Sequence, residues 1–151
     1  MANTYTQILV QIVFAVRGRR AIISEEMRVP LEKYICGAIS NKKSKPLAIY
    51  CNPDHCHILI GLHPSISISE MARDIKSNSS RWINENNWLN SRFSWQEGYG
   101  AFTYSRSQLN AVVKYILNQK EHHRRSTFRE EYLELLKKFE VPFKREYLFD
   151  F

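Results

Sequence analysis

The chain has 151 residues, 44% hydrophobic and 25% charged, a size and balance that suit one globular domain burying about two-thirds of its unfolded surface and that exclude a disordered chain. Twenty-two lysines and arginines against fifteen acidic residues leave a net charge of +7, which favours a polyanionic partner such as nucleic acid over a basic surface serving solubility alone. The longest apolar stretch, from Ile8 to Val16, is broken by Gln11 and is too short to cross a bilayer, while Cys36, Cys51 and Cys56 form no C-x-x-C pair behind a signal peptide, so a reduced cytoplasmic setting is expected.

Tyr5 to Val16 is rich in β-branched and aromatic residues and reads as a first strand, followed by the basic segment Arg17-Gly18-Arg19-Arg20. Ser24 before Glu25 and Glu26 marks a capped helix start, and Leu31, Tyr34, Ile35 and Ala38 carry the helical period. Leu47 to Cys51 is a second strand. Asn52-Pro53-Asp54 is a compact turn that returns the chain into a third strand, His55 to Leu62, so the two pair antiparallel and Cys51 and Cys56 can face each other as small buried hydrophobes. Ser65 to Glu70 is rich in helix caps and starts a long helix to about Asn86, with Met71, Ile75 and Trp82 as core positions. A loop from Trp95 to Gly100 leads to a short strand, Ala101 to Ser105. Ser107 caps a helix from Gln108 to about Arg124, Thr127 to Phe139 gives a last helix, and Tyr147 to Phe151 an apolar tail. The order predicts an α+β fold, a ferredoxin-like β-α-β-β-α-β antiparallel sheet with additional C-terminal helices, in one domain over 1–151. In that plan strands one and three are the central neighbours, and His55 and His57 sit at the middle of the sheet, on whichever face the two crossover helices leave open.

Alternation along the third strand puts His55 and His57 on one face, where two imidazoles make half a metal site. The bland reading of the same spacing is chance, since His-x-His arises in many chains. In the Gln108–Arg124 helix, Leu109, Val112, Val113, Ile116 and Leu117 form an apolar stripe, and Tyr115 and Gln119 stand off it one turn apart, either serving one site or as a rim aromatic and a solvated amide. A phosphodiester substrate links the two groups. Two imidazoles and one amide oxygen leave half of an octahedral shell open, which suits Mg²⁺ or Mn²⁺ holding phosphate oxygens and water. A tyrosine, with an ordinary pKa of ~10, attacks once deprotonated, and phenolate is also a good leaving group.

With these residues in view, the chain resembles the single-tyrosine HUH transposases of small insertion sequences, the IS200-like enzymes, and their repeat-associated tyrosine transposase relatives. The likeness rests on Ile12-Val13-Phe14 with Arg17, Arg19 and Arg20, on Asn52-Pro53-Asp54-His55-Cys56-His57, and on Ser67 through Lys76 to Ser80. Trp95-Gln96-Glu97-Gly98-Tyr99-Gly100-Ala101-Phe102 and Tyr115-Ile116-Leu117-Asn118-Gln119 complete it. The resemblance implies that Tyr115 is a nucleophile forming a 5′-phosphotyrosine link, that His55, His57 and Gln119 hold the metal, and that the partners are single-stranded DNA with hairpins and a second copy of the chain. The active site is then built within one chain or shared between two. Cys56 stands where the family has Val or Ile, and Gln11 where a histidine is common, outside the metal motif.

Among the remaining residues, Arg17, Arg19, Arg20, Lys114, Lys120 and Arg124, with Lys76, are candidate DNA contacts, as are Lys42, Lys43, Lys45 and Arg125. Trp88, Trp95, Tyr99, Phe102 and Tyr104 either stack on unpaired bases or pack within the fold. His63 reads as a loop residue, His122 and His123 as solvated residues at a helix C-terminus, and Asp54 as part of the turn. The expected activity is a metal-dependent DNA transposase. A non-catalytic ferredoxin-like nucleic-acid-binding module and a domesticated repeat-processing relative are the alternatives.

Overall fold

The computed structural model describes residues 3–144, so the tail expected at Tyr147 to Phe151 lies outside the described residues. Four strands, β1 (Leu9–Ala15), β2 (Lys45–Cys51), β3 (His55–Gly61) and β4 (Gly100–Tyr104), form one antiparallel sheet in the order β2-β3-β1-β4, the expected ferredoxin-like arrangement. β1 is shorter than the run of β-formers that announces it. Leu9 is the last residue paired on both sides, to Gly61 and Tyr104, and Tyr5 is 88% exposed. Pro46 is tolerated because β2 is an edge strand, and a register shift between Pro46 and Ala48 restores pairing so that Tyr50 meets His57 and Cys51 meets Cys56.

The period of two along the strands divides the protein into layers. Val10, Ile12 and Phe14 of β1 and Cys56, Ile58 and Ile60 of β3 face α1 (Glu25–Asn41) and α2 (Ile68–Glu85) in the main core. α1 begins at Ser24, whose Oγ accepts from Met27 N, and buries Met27, Leu31, Ile35 and Ile39; Tyr34 and Ala38 are only half-buried, and Tyr34 stacks on Trp82. In α2, capped by Ser67, Met71 and Ile75 enter the core with Ile83, while Trp82 packs at its margin. Cys36, Cys51 and Cys56 are free thiols, the last two buried.

The opposite sheet face carries Gln11, Val13 and Ala15 of β1, His55, His57 and Leu59 of β3, and Phe102 and Tyr104 of β4. It is covered by α3 (Leu109–Leu117), α4 (Gln119–His122) and α5 (Phe128–Lys138). The helix expected from Gln108 to Arg124 is divided at Asn118 (φ −100°, ψ 22°). Its start is capped by Ser105, not Ser107, in a box with Gln108, and a short 3-10 turn precedes α3. Ile116 takes the inward position, so Leu117, about 100° further round the helix, is 57% exposed and not part of the buried stripe.

Gly100, at the start of β4, is closely approached by α5: a Cβ there would lie 2.7 Å from Tyr132 Cε1 and 3.1 Å from Phe102 Cε2. Gly100→Ala is therefore expected to destabilise the protein by about 1–3 kcal/mol. Gly37→Ala, in α1 with nothing within 4 Å of a new Cβ, is expected to stabilise it by about 0.5–1 kcal/mol. Urea unfolding of the two variants checks both signs.

Candidate active site

His55 and His57 stand at the middle of the sheet, 1% and 0% exposed, opposite Ala15 and Val13 of β1. Their rings are 5.2 Å apart and nearly perpendicular. Each has its outer nitrogen engaged. His55 Nδ1 lies 2.6 Å from Asp54 Oδ1, so Asp54 orients a histidine as well as shaping the turn, where its backbone carbonyl accepts from Val16 N. His57 Nδ1 accepts from Gln11 Nε2 at 2.8 Å, and Gln11 Oε1 accepts from the Tyr104 hydroxyl. Gln11, which the sequence motif leaves out, is thus bound to one of the two histidines. Its amide offers a donor and an acceptor and so can serve either tautomer of His57.

The inner nitrogens converge on Glu131, a 1% exposed carboxylate in the first turn of α5 that sequence reasoning missed. Its Oε1 is 2.9 Å from His57 Nε2, 3.1 Å from His123 Nε2 and 3.2 Å from His55 Nε2. Its Oε2 accepts from the Tyr115 hydroxyl and, at 3.1 Å, from Gln119 Nε2. Tyr115 and Gln119 are therefore brought to the histidines of the same chain, Gln119 fully buried. Gln119 Oε1 accepts from Asn52 Nδ2 at 3.1 Å, and the same amide reaches His55 Nε2 at 3.2 Å. His123 is no solvated residue: its Nδ1 is 2.7 Å from Ser126 O and its Nε2 is 2.9 Å from Gln119 Oε1. His122 Nε2 lies 3.4 Å from Glu131 Oε2 without a hydrogen bond, and its ring is 5.3 Å from that of Tyr115. His63 is a loop residue, accepting from Ser65.

Burial opposes the ionised form of Glu131, but His57, His123 and His55 outweigh it and hold the carboxyl far below the usual carboxylate range. Burial first, and the Glu131 charge second, push the Tyr115 phenol well above the ordinary tyrosine value, so the phenol is protonated in this arrangement. Burial holds His57 below the usual histidine range. His55 is raised because hydrogen bonds to Asp54 and Glu131 overcome its burial.

Beside the phenol a cavity of about 290 Å³ is lined by Tyr104, Gln108, Val112, Tyr115, His122 and Glu131. A second hollow, which Tyr115 and His122 also line, is edged by Lys114 and Arg125. Lys114, Lys120 and Arg20 are exposed; Arg17 donates to Ser94 Oγ, and Arg124 pairs with Glu121. Arg19 lies in a short 3-10 turn. Lys76 is half-buried, its ammonium donating to the Gln96 and Gly98 carbonyls at 2.7 Å each. Lys42 is paired with Glu70 and Asp74. Trp95 and Phe102 are core residues, Trp88 and Tyr104 pack partly, and Tyr99 is exposed.

The sequence model of the family described as "Transposase IS200 like" matches residues 4–119. No curated protein matches the chain. Two solved structures share its fold. One is a Deinococcus radiodurans R1 protein assigned as a transposase, with a TM-score of 0.63, 19% identity, and coverage of 78% of this chain and 94% of that one. The other is a REP-associated tyrosine transposase bound to a REP hairpin, with a TM-score of 0.60, 17% identity, and coverage of 80% and 72%.

The Gln11 amide joins Tyr104 to His57 in a buried place, so Gln11→Leu leaves a phenol and an imidazole nitrogen without partners. A loss of about 1–3 kcal/mol is expected in denaturant unfolding.

Proposed function

The chain belongs to the IS200-like transposase family, and on that premise we propose that it cuts and rejoins single-stranded DNA at element ends, with Tyr115 as nucleophile, acting as a single domain over 1–151. The observation that carries the reading is the convergence of Tyr115, His55, His57 and Gln119, from three separate elements, around one buried carboxylate.

The Tyr115 oxygen attacks phosphorus, a bond forms between them, and the bond to the 3′ oxygen breaks. The DNA is left with a 5′-phosphotyrosine link and, once the leaving oxygen takes a proton, a free 3′-hydroxyl. The nearest acceptor for the phenol proton is Glu131 Oε2. In rejoining, a 3′-hydroxyl attacks the same phosphorus and the phenolate leaves, so one phosphoester replaces another and no ATP is needed. The Nε2 atoms of His55 and His57 with the Gln119 side chain fit a divalent ion, Mg²⁺ or Mn²⁺, whose charge when bound supplies polarisation of the phosphate and acidification of the phenol. Asp54 and Gln11 keep the two rings turned inward.

Exposed Lys114, Lys120 and Arg20 suit a phosphate backbone, with Arg17, Arg19, Lys76 and Arg124 as further contacts. The hairpin bound by the REP-associated relative supports hairpin DNA as the recognised form. Since Tyr115 reaches the histidines of its own chain, a homodimer would serve to hold two DNA ends together, not to complete the site. Among the described residues no helix is long and apolar enough to cross a membrane.

Labelled single-stranded hairpin DNA incubated with Mn²⁺ is expected to form a covalent adduct that Tyr115→Phe abolishes without loss of hairpin affinity. His57→Ala should slow cleavage by on the order of a hundredfold or more, the size expected when several kcal/mol of charge stabilisation is lost. Absence of any adduct across a range of element-end sequences would defeat the reading.

A further inference from the structure

The hydrogen-bond directions around Glu131 do not close with the groups present. Ser126 O is a carbonyl and can only accept, so the neutral ring of His123 carries its proton on Nδ1 and turns a bare Nε2 inward. That lone pair meets two further acceptors, Gln119 Oε1 at 2.9 Å and Glu131 Oε1 at 3.1 Å. His55 also turns Nε2 inward: the Asp54 carboxylate takes Nδ1, and Nε2 faces Glu131 Oε1 at 3.2 Å with the Asn52 amide donor at 3.2 Å. Two imidazole lone pairs, a carboxylate oxygen and an amide oxygen thus point at one small volume, with His57 Nε2 at its edge. Protons alone would require a doubly protonated, singly charged His123 there, sharing one carboxylate oxygen with the other two imidazoles. A divalent cation satisfies all of the acceptors at once.

The spacing agrees. The ligand atoms of His55, His57, His123 and Glu131 all lie within 4.8 Å of one another, and the three nitrogens are 2.9–3.2 Å from Glu131 Oε1. Neighbouring donors on one ion with bonds of about 2.0–2.2 Å are separated by roughly 3 Å or a little more. The rings are held by Asp54, Gln11 and Ser126, outer partners of the kind that orient ligating histidines; as a ligand, His57 takes the tautomer whose Nδ1–H donates to the turned Gln11 amide.

We propose that Glu131 of α5 and His123 are ligands of the divalent ion alongside His55 and His57, giving one chain a donor set of three imidazoles and a carboxylate that selects a transition cation of the Mn²⁺ to Zn²⁺ series over Mg²⁺. This rests on the reading of His55 and His57 as a metal pair. The set departs from the half-open shell of two imidazoles and an amide, since Mg²⁺ prefers oxygen and water whereas imidazole favours the later transition ions. Glu131 then has two tasks, Oε1 toward the ion and Oε2 on the Tyr115 hydroxyl, so the nucleophile is tethered beside the cation by one side chain.

The test is binding of the metal alone to the full chain stripped with chelator. The loss of the free Mn²⁺ electron-paramagnetic-resonance signal measures affinity, and competing Mg²⁺ and Zn²⁺ measure selectivity. Wild type is expected to bind one Mn²⁺, displaced by Zn²⁺ and hardly by Mg²⁺; Glu131→Gln and His123→Gln are each expected to weaken Mn²⁺ by at least about tenfold. His123 is partly exposed, so its variant keeps the test valid if Glu131→Gln fails to fold. Wild-type Mn²⁺ affinity in either folded variant, or Mg²⁺ binding as tight as Mn²⁺, would overturn the inference. His57→Ala separates the two levels: if it abolishes binding while the Glu131 and His123 variants bind normally, only the wider ligand set fails, and if it too binds normally the metal reading of the histidine pair fails with it.

Discussion

Two imidazoles buried at the centre of a sheet impose the constraint on which the rest of the molecule turns. A strand is indifferent to what it carries, but polar rings that have lost water must find partners or cost several kcal/mol. β3 meets this by putting its apolar residues on the side of α1 and α2 and its histidines on the other, where polar groups arrive from every element within reach: Gln11 from β1, Asn52 and Asp54 from the turn, Gln119 from α4, His123 from the turn after it, and Glu131 from α5. The network is densely shared, Glu131 Oε1 alone meeting three imidazoles and Gln119 Oε1 both Asn52 and His123.

The same network explains how α3 to α5 are seated. α3 is anchored by Val112 and Ile116 against Leu59 and Ala48, and α5 by Phe128, Leu135 and Leu136 against Val13, Ala15 and Phe102. Neither contact is as large as the core under α1 and α2. The two layers also meet polar to polar, with Glu131 the point at which α5, α3 and β3 touch. Phe128 stacks on His55 at 4.2 Å, extending the seal over the buried rings. The break at Asn118 lets the chain turn so that Gln119 and His123 both face inward.

The fold was legible because it is written in local patterns: the β-branched and aromatic run of β1, alternation in β3, helical period in α1, the cap-rich starts of α1 and α2, and the turn at Asn52 to Asp54. His55, His57, Tyr115 and Gln119 were legible because their spacing puts each pair on one face and because a known family shares that spacing. Glu131 carries no such mark. It follows Glu130 in the first turn of a helix, where acidic residues are common for the sake of the helix dipole alone, and only the docking of α5 reveals that one of the two is buried. His123 reads as a solvated residue at a helix end until Ser126 is seen to hold its ring. Ser107 was mistaken for the cap because both serines fit the pattern, and the choice falls to Gln108, whose side chain reaches Ser105.

Gln11 carries a consequence for the order in which the protein is made. Its partners, His57 and Tyr104, lie 46 and 93 residues further along, so β1 leaves the ribosome long before either exists. A strand whose one central polar side chain needs both neighbours has little to gain from docking early, and contacts of such span are slow to form. The sheet therefore closes late, when β4 arrives, and the face that carries His55 and His57 is completed only when α5 has emerged. A nascent chain stalled before that point holds His55 and His57 and lacks Tyr115 and Glu131.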